Sequence, residues 1–258
     1  MNHHGDFVWY ELITPDADAA ARFYGSVIGW TARAAEATPG YRILSAHGND
    51  VAGILSSADD STCSGMRPSW LGYVGVDDVD ASAAAIASAG GKILVPPTDL
   101  PGVGRFAFFQ DPQGVPGYLM RGASDDASAA FSPERPGHCQ WNELTTHDQQ
   151  AALAFYRERF GWQPGDAMDM GERGDYRFVL QQGKVIGAVM NRGPEDPPAG
   201  WTFYFGVPDI ERAARAVTEH GGTICHGPAE VPGGSRIVVA SDPQGASFGL
   251  VAPPASAA

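Results

Sequence analysis

Long apolar runs, basic clusters and paired cysteines are all missing from this 258-residue chain. No stretch of about eighteen apolar residues occurs, and the opening MNHHGDFVWY has neither the basic region nor the apolar stretch of a secretory signal. A cytoplasmic protein is therefore expected. No Lys/Arg-rich run offsets the formal net charge of −13. Polyphosphates and nucleic acids would meet a repulsive field, so neither nucleic acid nor membrane is expected as a partner. The three cysteines, Cys63, Cys139 and Cys225, are far apart and form no C-x-x-C pair. That argues against a disulfide framework and a zinc knuckle. The seven histidines contain no H-x-x-x-H or H-E-x-x-H spacing. His3 and His4 read as a frayed terminus, and His47, His147, His220 and His226 as loop or helix-end residues.

What is present is an ordinary globular balance of 43% apolar and 18% charged residues. The length suits two cores of about 120 to 130 residues each.

The chain also repeats itself. WYELITPD (9–16) returns as WNELTTHD (141–148), and at the same offset Phe23-Tyr24 and Gly29-Trp30 return as Phe155-Tyr156 and Gly161-Trp162. One residue out of that frame, Trp70, Tyr73, Gly75 and Val76 return as Trp201, Tyr204, Gly206 and Val207. Gly90-Gly91 matches Gly221-Gly222, PGVGR (101–105) matches PGGSR (232–236), and DPQG occurs at both 111–114 and 242–245. Collinear matches of this number mean a duplicated domain. The domains are expected at 5–121 and 138–252. The Ser, Asp, Ala, Pro and Gly-rich segment 122–137 reads as an exposed linker, and 253–258 as a disordered tail.

Within the first copy, FVWYELI alternates like a strand. Thr14 and Pro15 then read as the N-cap and first turn of a helix carrying Ala20, Phe23, Tyr24, Val27 and Ile28 at helical spacing. After Gly29, YRILSAHG and DVAGILSS read as short antiparallel strands. WLGYVGV begins the cycle again: Asp78 can cap the next helix, Gly90-Gly91 end it, and three strands follow, with DPQG as the turn before the last. The unit is β-α-β-β-β, two per domain and four in the chain, an α+β fold.

Four such units, with F-Y on the first helix, G-W at its end and D-P-x-G before each domain's last strand, resemble the vicinal oxygen chelate superfamily. It includes glyoxalase I, extradiol dioxygenases, fosfomycin-resistance proteins and bleomycin-binding proteins. The resemblance implies two tandem glyoxalase/bleomycin-resistance-like domains, each with a curved mixed sheet enclosing a cup. It also implies where enzymes of the family place metal ligands: at Trp9 and Trp141 on the first strands, near Leu71 and Thr202 on the next units' first strands, and at Tyr118 and Gly249 on the last. Indole does not ligate metal, and a catalytic divalent site needs about three protein ligands. No metal and no cofactor are therefore expected.

Residues two apart on a strand share a face, so Phe7, Trp9 and Glu11 go together, as do Trp141 and Glu143. Each cup would receive an aromatic wall and one carboxylate, with Glu11 and Glu143 as the candidate catalytic groups. Tyr73, Tyr118 and Tyr204 would add aromatic lining, and Gly249 would leave the second cup more open. Arg105 and Arg236, each opening a strand after a P-G turn, are candidate ligand contacts and natural partners for the two glutamates. Core packing of the tryptophans and tyrosines, Glu–Arg pairing for stability, and plain surface arginines are the bland alternatives. Phe23, Tyr24, Trp30, Phe155, Tyr156 and Trp162 read as core.

The residues favour metal-independent binding of a hydrophobic, aromatic or amino-bearing small molecule, in the manner of bleomycin-resistance sequestration or as an accessory to natural-product metabolism. An enzyme is the alternative, a lyase, isomerase or dioxygenase-type protein using Glu11 or Glu143 as base or a non-standard metal set. A third reading is a protein-interaction scaffold. The chain would act as a monomer with two tandem domains or as a homodimer.

Overall fold

The computed structural model describes residues 2–35, 38, 40–58 and 65–254; Cys63 and tail residues 255–258 lie outside them. The first half runs β1 (Phe7–Thr14), α1 (Ala17–Ile28), β2 (Thr31–Ala34), β3 (Tyr41–Ala46), β4 (Asn49–Ser56), β5 (Ser69–Gly75), α2 (Val79–Ser88), β6 (Lys92–Leu100), β7 (Gly104–Gln110) and β8 (Pro116–Gly122). The second runs β9 (Cys139–Thr146), α3 (Gln149–Phe160), β10 (Gln163–Asp169), β11 (Asp175–Gln181), β12 (Lys184–Asn191), β13 (Gly200–Gly206), α4 (Ile210–Glu219), β14 (Thr223–Glu230), β15 (Arg236–Ser241) and β16 (Ser247–Ala252). The order is β-α-β-β-β four times, as expected.

Each half forms an eight-stranded mixed sheet, ordered β2-β3-β4-β1-β5-β8-β7-β6 and β10-β11-β12-β9-β13-β16-β15-β14. Every module pairs its first and last strands in parallel, as β1 with β4 and β9 with β12, while its last three strands run antiparallel. A helical crossover is what a parallel neighbour requires.

The helix starts differ in one detail from the sequence reading. Asp16, not Thr14, is the N-cap of α1: its extended backbone (φ −118°) lets the carboxylate accept from the Ala19 N–H at 2.8 Å. Thr14 is the last residue of β1, and Pro15 bridges the two elements. Asp148, Asp78 and Asp209 cap α3, α2 and α4 in the same way. Each cap satisfies an N–H that the helix itself cannot pair.

Packing divides the chain on other lines. One compact unit comprises Met1–Val8, Leu71–Ser128 and Trp141–Trp201, and the other Trp9–Trp70, Ala129–Gln140 and Thr202–Ala258. Each unit joins a module from the first half to one from the second, α2 packing with α3 in one and α1 with α4 in the other. The repeated motifs meet at these junctions. In the first unit Tyr156 on α3 donates to the carboxylate of Asp111, the Asp of DPQG, at 3.0 Å, and Trp201 hydrogen-bonds the same hydroxyl. In the other, Tyr24 on α1 donates to Asp242 at 3.0 Å and accepts from the Trp70 indole N–H at 2.8 Å. The glutamines of the same turns finish the exchange: Gln113 bonds both the backbone N–H and the carbonyl of Asp148, and Gln244 does so at Asp16. Burial pushes both tyrosine hydroxyls well above their ordinary range, so they stay protonated and remain donors. The F-Y and D-P-Q-G motifs are thus halves of one hydrogen-bonded joint, made twice.

The segment read as an exposed linker is only partly so. Residues 122–127 are exposed, but Ala130 is buried and Phe131 bridges to Cys139. Gly137 lends its carbonyl to the Trp30 indole N–H at 2.6 Å and its N–H to the Gly206 carbonyl at 2.7 Å. A Cβ at Gly137 would fall 2.6 Å from the Ala46 side chain, and φ there is +76°, so glycine is what lets the backbone approach. His4 also departs from the frayed terminus expected of it, its carbonyl accepting from Gln181 at 2.6 Å.

Candidate functional site

Strand alternation sets the two candidate sites. On β1, Tyr10 and Leu12 are fully buried, and Tyr10 packs edge-on against Phe203, 5.0 Å between ring centres. Trp9 and Glu11 therefore point to the other face. Phe7, at the start of the strand, is buried, and its ring packs on Trp162 at 5.2 Å. On β9 the pattern holds from Trp141 onward: Asn142 and Leu144 are buried, and Trp141 and Glu143, half-buried, share the opposite face.

A tyrosine that the sequence reading did not single out completes each site. In the first repeat Trp9 donates its indole N–H to the Tyr41 hydroxyl at 2.9 Å, and Tyr41 is hydrogen-bonded in turn to Glu11. In the second, Trp141 donates to Tyr176 at 2.8 Å, and Tyr176 donates to Glu143 Oε2 at 2.7 Å. A phenol accepts one hydrogen bond while donating its own proton, so each tyrosine links an indole to a carboxylate. Burial, followed by the charge of Glu11, pushes the Tyr41 hydroxyl well above its ordinary range. Tyr41 is a proton donor throughout the physiological range.

The surroundings of the two links differ. Glu11 is 3% exposed, and a Cβ on Gly53, its register partner on β4, would lie 1.9 Å from the Tyr41 hydroxyl. Glycine is what leaves room for that hydroxyl. In the second repeat Ala188 occupies the matching place beside Glu143, and Tyr176, Ala188 and Met190 form a buried cluster with Trp141, Met168 and Phe178 packed against it. Where the first repeat has Ile43, paired to Gly53, the second has Phe178, paired to Ala188.

The other predicted residues fall elsewhere. Tyr73 and Tyr118 are register partners, buried and stacked face to face with centres 4.1 Å apart, and Phe108 continues the stack at 4.5 Å. These rings use their faces on one another. Tyr204 is the register partner of Gly249, and a Cβ there would lie 2.3 Å from its ring. The space expected to be open at Gly249 is filled by Tyr204. Arg105 is bound to Asp80 at 2.7 Å and to Asp99 at 2.9 Å, and Arg236 to Glu211 at 2.7 Å. Neither arginine is thus the expected partner of a site glutamate: the first turn of a helix supplies an acid to each, and for Arg105 the edge strand supplies a second.

Among the described residues, no three His, Cys, Asp or Glu side chains gather where they could hold a metal ion. The positions at which the resemblance implies ligands carry Trp9, Trp141, Leu71, Thr202, Tyr118 and Gly249, so this donor set does not fit a divalent metal. A cleft of about 380 Å³ lined by Leu153, Arg157, Pro164 and Arg177 lies in the second repeat and includes none of the predicted site residues. No helix among the described residues is long and apolar enough to cross a membrane.

Comparison with known proteins gives the chain its kin. The family model described as Glyoxalase/Bleomycin resistance protein/Dioxygenase superfamily matches residues 6–116 and again 135–250. "Putative glyoxylase CFP32" of Mycobacterium tuberculosis is 33% identical over 95% of this chain and 94% of its own. "Anthracycline biosynthesis protein DauV" of Streptomyces sp. (strain C5) is 32% identical over 94% and 91%. In fold, the chain is similar to the Mn(II)-bound glyoxalase from Novosphingobium aromaticivorans, with a TM-score of 0.65 over 98% of this chain and 83% of that one at 19% identity. It is likewise similar to 2,2',3-trihydroxybiphenyl 1,2-dioxygenase from Sphingomonas wittichii, with a TM-score of 0.69 over 96% and 90% at 13% identity.

Proposed function

The chain belongs to the glyoxalase/bleomycin resistance protein/dioxygenase superfamily, and within it we propose a metal-independent binder of planar, aromatic small molecules. One observation carries this reading: the first-strand positions at which the resemblance implies metal ligands hold Trp9 and Trp141, each tied through a tyrosine to a carboxylate. An indole fixed by its N–H presents a rigid apolar face, and such faces with a few polar groups are what small-molecule sites are made of. Kinship with an anthracycline biosynthesis protein supports a ligand drawn from aromatic natural products, held for sequestration or passed to another enzyme.

The test is a titration of tryptophan fluorescence with an anthracycline as probe, with and without EDTA, and with chromatography of the probe afterwards. Saturable quenching of equal affinity in both buffers, and a probe recovered unchanged, is the expected result. Binding that requires an added divalent metal would overturn the reading. Similarity to CFP32 supports a second reading, in which Glu11 or Glu143 acts as a base in a lyase or isomerase. Conversion of the probe, or turnover in a glyoxalase assay that resists EDTA and is lost in Glu143→Gln, would favour it.

A further inference from the structure

Resting on that binding reading, we propose that the second repeat's site is a receptor for a positively charged amine carried by the ligand. Three aromatic rings and one carboxylate meet on one face of β9 and β11. Phe178 stands at 86° to Trp141, with ring centres 5.9 Å apart, and at 87° to Tyr176, at 6.0 Å. Rings that meet edge to face in this way cover less of each other's faces than Tyr73, Tyr118 and Phe108, which lie flat on one another, and the three rings make a corner. Glu143 belongs to the same corner, its carboxylate fixed by the Tyr176 hydroxyl. Trp141, Glu143, Phe178 and Met168 are all half-buried, so solvent reaches the corner.

The chemistry of these walls selects the ligand. The negative faces of aromatic rings attract a cation within about 6 Å, and most strongly an ammonium that has shed part of its water. A hard divalent ion would need six or so oxygen ligands, and this corner offers one carboxylate and a phenol already engaged with it. A neutral group would gain only contact area. The first repeat has Trp9, Tyr41 and Glu11 but Ile43 in place of the third ring, and its glutamate is buried. The amine site is accordingly assigned to the second repeat alone. The net charge of −13 adds a general attraction for cations.

A matched pair of probes tests this: naphthylmethylammonium and its neutral counterpart naphthylmethanol, titrated calorimetrically into the full chain and into Glu143→Gln and Phe178→Leu. The ammonium is expected to bind roughly tenfold more tightly than the alcohol, and each substitution to shrink that ratio to roughly threefold or less. Phe178→Tyr keeps a ring in place and should keep the ratio, which guards against a Leu variant that fails to fold. Equal affinity for the two probes in the unaltered protein, or an ammonium preference that survives both substitutions, would overturn the amine site while leaving the aromatic-binding reading intact. Failure of both probes to bind would overturn both.

Discussion

The two repeats make the same indole–phenol–carboxylate link in different settings. In the first, the glutamate is buried and a glycine accommodates the tyrosine, while Trp9 and Tyr41 themselves are half-buried. In the second, the glutamate is half-buried and a third ring stands across from the indole. One hydrogen-bond pattern can therefore serve structure in one copy and recognition in the other. Burial of the carboxylate is what divides them, because an unpaired buried acceptor costs far more than a wet one.

Removing the phenol should break the comparison most sharply. Tyr41→Phe removes one hydrogen bond from the Trp9 N–H and one from the buried Glu11 and should cost about 2–3 kcal/mol of stability. Tyr176→Phe, where water can step in, should cost about 1 kcal/mol. Urea denaturation of both variants measures the difference; equal losses would mean that the two links do the same job. Next in size is a transfer of the third ring. Ile43→Phe should cost about 1 kcal/mol or more from overpacking and raise the stoichiometry of ammonium binding towards two per chain, as read by calorimetry. A stoichiometry that stays at one would show that a ring alone does not make the site.

A pH effect of the second repeat should come third. His138 immediately precedes β9, is fully buried, bonds the Ala129 carbonyl through Nδ1, and leaves Nε2 without a partner among the described residues. Burial lowers its pKa below the ordinary 6.5, so the unfolded chain takes up a proton before the folded one does. The contribution is fully present above about pH 6.5 and is lost as pH falls through the folded value. His138→Gln should flatten that part of the curve of urea midpoint against pH. A slope unchanged by the substitution would assign it to other groups. The smallest effect should come from Gly53→Ala, which gives the first repeat the residue that the second has at Ala188. It should shift Tyr41 and lower stability by about 1 kcal/mol. No loss would mean that the Tyr41 hydroxyl keeps its place beside a Cβ, as the Tyr176 hydroxyl does beside Ala188.

Much of this was legible in the sequence, for physical reasons. The Asp78 cap, the D-P-Q-G turns and the repeated aromatic pairs are local or strictly periodic signals, and they give the module order. The period of two along β1 and β9 put Trp9 with Glu11 and Trp141 with Glu143. Tyr41 and Tyr176 escaped because they lie on other strands, and their approach depends on hairpin register, with irregularities between Leu44 and Ser45 and between Val179 and Leu180. Strand spacing does not encode such shifts. Arg105 and Arg236 were assigned to the wrong acids for a related reason: Asp80 and Glu211 reach them from helix starts that are distant in sequence.

The joints between F-Y and D-P-Q-G give the chain a property of its own under proteolysis. Each compact unit draws on polypeptide from both sides of residues 122–127, so a protease that cuts that exposed stretch would sever the backbone without parting either unit. The two fragments are expected to stay together as a complementing pair, which gel filtration of the nicked protein would check. The covalent tether then serves only to hold the partners at high effective concentration while they first assemble.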